Sequence, residues 1–263
     1  AAMSLQAICR AVSPAIAACE LSFIGREPID VDLAARQHAG YVAALRALGV
    51  AVTELPALPE LPDSVFVEDT ALLFDELAVL TRPGADSRRT EVDAIAPAVQ
   101  AVRAQVARID APGTLDGGDV LRIGRRVYVG LSQRSNAEAI AQLAEILAPY
   151  AYRVLAVPMH GCLHLKSAVT ALSDDTVLLN PEWLDTAVFE DYLQITVAPD
   201  EPHAANVLRV GGQILMPSAF PATRAAIEEA GFAVTAVDVS ELQKAEGAVT
   251  CCSLLFEGAS DGA

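Results

Sequence analysis

The chain is poor in aromatic residues, which make up 5% of its 263 positions, and it holds a single tryptophan. Basic residues are scarce as well: 18 lysines and arginines stand against 34 acids, a net charge of -16. That balance argues against nucleic acid or an anionic membrane as a partner and suits a small cationic ligand. Cysteine is sparse, odd in number and never in a CxxC pair, so neither a disulfide framework nor a structural zinc site is expected. Five free thiols point instead to a reducing, cytoplasmic setting. No apolar run reaches the 18 residues of a membrane span. The opening "AAMSLQAICR" has neither the basic nor the long apolar region of a secretory signal. What the sequence has in quantity is apolar residue, 53% against 20% charged, enough for a large buried core.

That apolar content is periodic. Four stretches share one plan, an apolar strand, a tight polar turn and a second apolar strand: "TALLFDELAVLTRP" from Thr70, "GDVLRIGRRVYVGL" from Gly118, "AVTALSDDTVLLNP" from Ala168 and "ANVLRVGGQILMPS" from Ala205. β-branched and leucine-rich runs flanking Asp, Gly or Asn are the hairpin signal. Helical patterns follow most of them: "SRRTEVDAIAPAVQAV", "SNAEAIAQLAEIL" with capping residues Ser135 and Asn136, and "PATRAAIEEAG" with an early proline and a terminal Gly231. A further strand comes after each, in "QVARID", "YRVLAVP", "LQITVAP" and "FAVTAVDV". The unit is therefore strand-strand-helix-strand, repeating roughly every 35–50 residues. The N-terminal region adds a helix, "DVDLAARQHAGYVAALRALG", stopped by Gly49, and a strand, "VAVTELP". With "TCCSLLF" as a strand, the two chain ends complete a fifth unit. Five units closing into a ring form an α/β propeller, a single domain over residues 1–263 with no Gly/Ser linker to divide it.

Four groups of reactive residues fall at corresponding ends of the repeats. They are Asp63, Glu68 and Asp69 around an apolar strand, the alternating "SVFV", in "LPDSVFVEDTAL", Asp116 and Asp119 in "TLDGGDVL", His164 and Lys166 in "GCLHLKSAV", and Cys251 and Cys252 in "GAVTCCSLLF". Each has an ordinary explanation alone: turn chemistry for the aspartates beside glycine, a hydrogen-bonded structural histidine, two small apolar side chains in a buried strand. Brought to one axis they make a different set. Thiolate is the reactive form of cysteine, and its ordinary pKa of about 8.5 calls for a nearby cation at neutral pH. A bound guanidinium supplies that charge, held by Glu68 and Asp69. His164 then protonates the departing amine and activates water, with Asp116 orienting it. This is covalent catalysis at an amidine carbon.

The motifs "REPIDVDLAARQHAGYV", "LPDSVFVEDTALL", "TRPGADSRRTEVD", "TLDGGDVL", "VGLSQRSN", "LHLKS", "AANVL" and "VTCCSLLF", in this order over nearly the whole chain, closely resemble the dimethylarginine dimethylaminohydrolase (dimethylargininase) family. The resemblance implies the five-fold α/β-propeller, or pentein, fold of guanidine-modifying enzymes. It further implies hydrolysis of Nω-methylated arginines, asymmetric dimethylarginine and monomethylarginine, to citrulline and methylamines, without metal or organic cofactor. By the motif match the nucleophile is Cys251, the acid/base is His164 and its orienting acid is Asp116, where some relatives carry Glu. Because neighbours in a strand face opposite ways, Cys252 is expected to point away from the pocket. Guanidinium recognition falls to Glu68 and Asp69. The α-carboxylate falls to Arg88 and Arg134, the α-amino group to Asp63 and the backbone near Leu21 and Ala245, and the channel lining to Phe66. Leu21 lies in "ELSFIGREP", which resembles the family's lid.

Arginine deiminases, close cousins, carry aspartate two residues after the histidine; Lys166 stands there, so unmethylated arginine is expected to be a poor substrate. The alternatives are another guanidine- or ureido-modifying hydrolase or amidinotransferase of the same superfamily, and a non-catalytic pentein binding module, which lacks the Cys–His–acid set. Zinc captured by Cys251 and His164 is expected to inhibit. The sequence fits a monomer or a homodimer equally.

Overall fold

A computed structural model describes residues 3–259. The first elements are β1 (Met3–Arg10), α1 (Val31–Ala47) and β2 (Ala51–Leu55). Helix α1 begins where the Asp30 carboxylate accepts from Leu33 N at 3.0 Å and stops where Gly49 takes φ +90°, open to glycine at no steric cost. Its buried face, Ala34, Gln37, His38, Tyr41, Val42 and Leu45, recurs at helical spacing and seals one side of the first sheet.

Four units follow in sequence. The first is β3 (Ala71–Leu73), β4 (Ala78–Leu80), α2 (Thr90–Val102) and β5 (Val106–Arg108); the second is β6 (Val120–Ile123), β7 (Arg126–Leu131), α3 (Ala137–Leu147) and β8 (Arg153–Pro158). A one-turn helix, α4 (Leu165–Ala168), leads into β9 (Val169–Ala171), β10 (Thr176–Leu179) and β11 (Leu193–Thr196). Then come β12 (Leu208–Val210), β13 (Gln213–Pro217), α5 (Pro221–Glu229) and β14 (Ala233–Val237), a short α6 (Ser240–Gln243) and a last strand, β15 (Leu254–Ala259).

These strands make five three-stranded sheets with one plan: an inner strand antiparallel to the middle strand, and an outer strand parallel to it. The fifth sheet, β15-β1-β2, joins the two ends of the chain, with Ile8 opposite Leu254 and Thr53. The repeat is thus as expected, with two differences. In the β9-β10-β11 unit the crossover carries only a 3₁₀ turn, Thr186–Phe189, in place of a helix. The other is at the cysteine pair: Thr250–Cys252 is a turn, and strand β15 starts at Leu254.

The helices pack over apolar clusters shared between neighbouring sheets. For α3 this means Ala139, Leu143 and Leu147, spaced by four and fully buried against Val127 and Val129. Truncating either leucine to alanine is expected to cost about 2–5 kcal/mol. The inner strands β3, β6, β9, β12 and β15 together line one axial cavity of about 320 Å³, which closes the ring.

Candidate active site

The chain reaches the axis through the segments that enter the inner strands, and these carry the chemistry. Val67–Thr70 is a 3₁₀ turn before β3 holding Glu68 and Asp69; the sequence pattern had suggested a strand from Ser64 to Val67, but those residues turn as well. Gly117–Asp119 is a second 3₁₀ turn, before β6, preceded by Asp116. His164 caps α4 ahead of β9, Asn206 precedes β12, and Cys251 precedes β15. The two glycines after Asp116 are explained by closeness. A Cβ on Gly117 would lie 1.8 Å from Glu68 O, and one on Gly118 2.5 Å from His164 Nδ1.

His164 Nε2 lies 2.8 Å from Asp116 Oδ2, with Asp116 fully buried and fixed by Gly84 N on its other oxygen at 3.0 Å. Burial by itself would lower the imidazole pKa; the Asp69 and Asp119 carboxylates and the bond to Asp116 outweigh it and raise it to about 9. His164 is therefore an imidazolium at neutral pH, a proton source. Asp69 is the converse case. Burial opposes its charge, but His164 and Arg88 hold its carboxyl at about 2. Its Oδ2 is 2.6 Å from Arg88 Nη1, and its Oδ1 accepts from Gly118 N at 2.9 Å.

Cys251 is only partly exposed, and its thiol receives Ala248 N at 3.3 Å. Desolvation, then the Glu68 and Asp69 charges, push its pKa well above the ordinary thiol value. At rest Cys251 is therefore a neutral thiol. Cys252 is fully buried in the cluster behind the site and directs its Sγ toward Ala248 O. It does face away from the pocket, as expected, although turn geometry rather than strand alternation sends it there.

Glu68, read from the sequence as a guanidinium ligand, already has partners: Lys166 Nζ at 2.8 Å and Thr250 Oγ1 at 3.0 Å. Arg88 is buried and almost saturated, with Glu91 taking Nε at 3.0 Å and Nη2 at 2.9 Å, and the Asp63 and Phe66 carbonyls accepting from Nη2. Asp63, Phe66, Asp69, Arg88, Arg134 and Ala245 line one narrow slot that reaches Cys251 and His164. Leu21 is half-buried in the segment above it. That segment is fastened from below: Asp63 Oδ2 accepts from Glu20 N at 3.1 Å, and Glu246 accepts from the amides of Ser22 and Phe23.

Four contributors escaped the sequence reading. Glu91 and Asn206 sat in recognised motifs without a role, and Glu246 carried no signal at all. Asn206 ties the Cys251 turn in place, accepting from Thr250 N at 3.1 Å and donating to Thr250 Oγ1 at 2.8 Å. Asp119 had been noticed without a function. It accepts from Leu165 N at 2.9 Å and from the hydroxyls of Ser132 and Ser135 at 2.6 Å, so it fixes the backbone beside His164.

Among the described residues, Asp69, Asp116 and His164 are the one cluster with metal-ligand spacing. Two of its members are hydrogen-bonded to each other, and Arg88 and Arg134 stand against it, so the arrangement suits a charged hydrogen-bond network better than a resident cation.

A ring of five such sheets, with a cysteine, a histidine–carboxylate pair and two further acids at its axis, defines the pentein class of guanidine-modifying enzymes. The family profile described as "N,N dimethylarginine dimethylhydrolase, eukaryotic" matches residues 25–256. The chain belongs to the dimethylarginine dimethylaminohydrolase family. It is 41% identical over 252 residues to the N(G),N(G)-dimethylarginine dimethylaminohydrolase of Streptomyces coelicolor, covering 95% of this chain and 96% of that protein. To the Pseudomonas aeruginosa enzyme of the same name it is 39% identical over 228 residues, 86% of this chain and 90% of that one. A cysteine-to-serine mutant of the Pseudomonas aeruginosa protein, solved in complex with citrulline, superposes with a TM-score of 0.93 at 36% identity, covering 97% of this chain and all of that one.

Proposed function

We infer that this chain hydrolyses Nω-methylated arginines to citrulline and methylamines through a covalent intermediate on Cys251. The observation that carries the reading is electrostatic: a neutral thiol flanked by Glu68 and Asp69 shares its pocket with an imidazolium, His164. A guanidinium entering beside the two acids cancels the charges that hold the thiol up, so the substrate itself favours the thiolate, whose proton passes to solvent because His164 already holds one. Sγ then bonds to the guanidinium carbon, and the bond from that carbon to the methylated nitrogen breaks as the nitrogen takes the proton of His164. The neutral imidazole next removes a proton from water, whose oxygen adds to the thiouronium carbon. Cys251 departs, leaving the ureido group of citrulline. Asp116 keeps the ring aligned through both transfers.

Arg88 and Arg134 suit the substrate carboxylate, and Asp63 suits its ammonium together with the backbone near Leu21 and Ala245. Asp63 accepts from Glu20 N, and Ser22 Oγ lies 3.4 Å from Arg134 Nη2. The amino-acid end of the substrate replaces these contacts, so binding and lid position are coupled. The catalytic unit is the whole ring, acting as a single domain. Work in the cytoplasm is supported by its five free cysteines. No helix among the described residues is long and apolar enough to cross a membrane.

The test is citrulline formation from asymmetric dimethylarginine, monomethylarginine and arginine by the wild type, Cys251→Ser and Cys252→Ser. Turnover of the methylated substrates by all but Cys251→Ser is expected. Labelling of Cys251 by a thiol reagent without any methylarginine turnover would move the substrate to another guanidine.

A further inference from the structure

Cys251 and His164 stand at the junction of two spaces of very different size. On one side is the slot that holds Asp63, Arg88 and Arg134, about 20 Å³ in the free protein. On the other is a chamber of about 340 Å³, walled by Phe23 and Ile24 from the lid, by Leu163 and His203, and by Phe220 and Gln243. An arginine anchored by its carboxylate and ammonium in the slot presents its carbon to Sγ with its outer nitrogen turned to the chamber. Two methyl groups fill little of that volume, and Phe23, Ile24, Leu163 and Phe220 make much of the wall apolar.

We propose that this chamber is a subsite for the Nω-substituent, and that the enzyme accepts arginines bearing uncharged alkyl or arylalkyl groups larger than methyl on that nitrogen. The proposal rests on the methylarginine reading. The chemistry is unaltered: the Sγ–carbon bond forms and the bond from carbon to the substituted nitrogen breaks. The nitrogen leaves with its substituent as a primary amine, after accepting the His164 proton. Water supplies the oxygen of citrulline.

A series of Nω-methyl-, Nω-propyl- and Nω-benzyl-arginine, followed by citrulline release, tests it. In a pocket closed around methyl, one added methylene costs roughly 10–200-fold. Here kcat/KM for the propyl and benzyl substrates is expected within about tenfold of methyl, against that closed-pocket cost. Gln243→Trp, which narrows the chamber from α6, is expected to lower the benzyl-to-methyl ratio of kcat/KM by at least about tenfold, on the same scale. A propyl rate lower by roughly 100-fold or more in the wild type overturns the proposal. An unchanged ratio in Gln243→Trp, with the larger substrates turned over, also overturns the chamber as their site. Failure of all three substrates, methyl included, would instead sink the underlying reading of function.

Discussion

Lys166 Nζ lies 2.8 Å from Glu68 Oε2, and the two side chains line both the chamber beside Cys251 and the axial cavity behind it. They form the floor of the active site. A lysine two residues after the histidine does more than vary a motif: it is the counter-ion of Glu68, as Arg88 is of Asp69, so each of the two acids beside Cys251 carries a fixed cationic partner. Replacing Lys166 by Met leaves a buried carboxylate without its counter-ion. A loss of about 3 kcal/mol is expected, since removing one member of a buried pair is costly. Urea unfolding of the two proteins measures it, and a change near zero would show that solvent already screens the pair.

Glu68 also sets the reactivity of Cys251. Its charge raises the thiol pKa, so Glu68→Gln is expected to make Cys251 react severalfold faster with iodoacetamide at pH 8. Turnover of dimethylarginine should fall by roughly 100-fold or more, because a charge-assisted contact to the guanidinium is lost. The two effects have opposite signs. A variant slowed in both would mean that the substitution had only disturbed the fold of the turn.

The histidine's proton links stability to pH. His164 stands at about 9 in the folded protein, above an unfolded value of about 6.5. The native state therefore holds an extra proton between those values, and its stabilisation is full below about 6.5 and lost as pH rises through 9. The melting temperature of the free enzyme should decline across this window, and the decline should flatten in His164→Gln, which keeps a donor for Asp116. Parallel curves would mean that the ring is neutral at pH 7.

Glu91 holds Arg88 from behind by two hydrogen bonds, beside those the guanidinium makes to Asp69 and to the Asp63 and Phe66 carbonyls. In Glu91→Gln one of those acceptor oxygens is replaced by a donor. KM for methylarginine is expected to rise about tenfold with kcat changed less, the pattern of lost substrate binding. A fall in kcat with KM unchanged would assign Glu91 to the chemistry instead.

The sequence by itself determined the repeating unit, because inward-facing apolar residues alternate in strands and recur by three and four in helices, and this is a local property of the chain. It also marked most reactive residues, since Asp, His and Cys are conspicuous among leucines and valines. What it misread were short segments in which local pattern and tertiary demand conflict. Ser64–Val67 alternates like a strand and turns, because the chain must bend there to bring Glu68 and Asp69 to the axis. Thr250–Cys252 is apolar enough for a strand and turns for the same reason.

Only the tertiary structure decided who meets whom. Asn206 under Thr250, Lys166 on Glu68 and Glu246 beneath the lid join residues far apart in the chain, whereas Glu91 lies only three residues beyond Arg88, a spacing the sequence itself displays. The cost of burying a charge without a partner selects these pairings, and that cost exists only once the ring has closed and water has left its axis. The same holds for the thiol of Cys251. Cysteine supplies the sulfur, but the low-dielectric pocket and its two acids set whether it rests as thiol or thiolate.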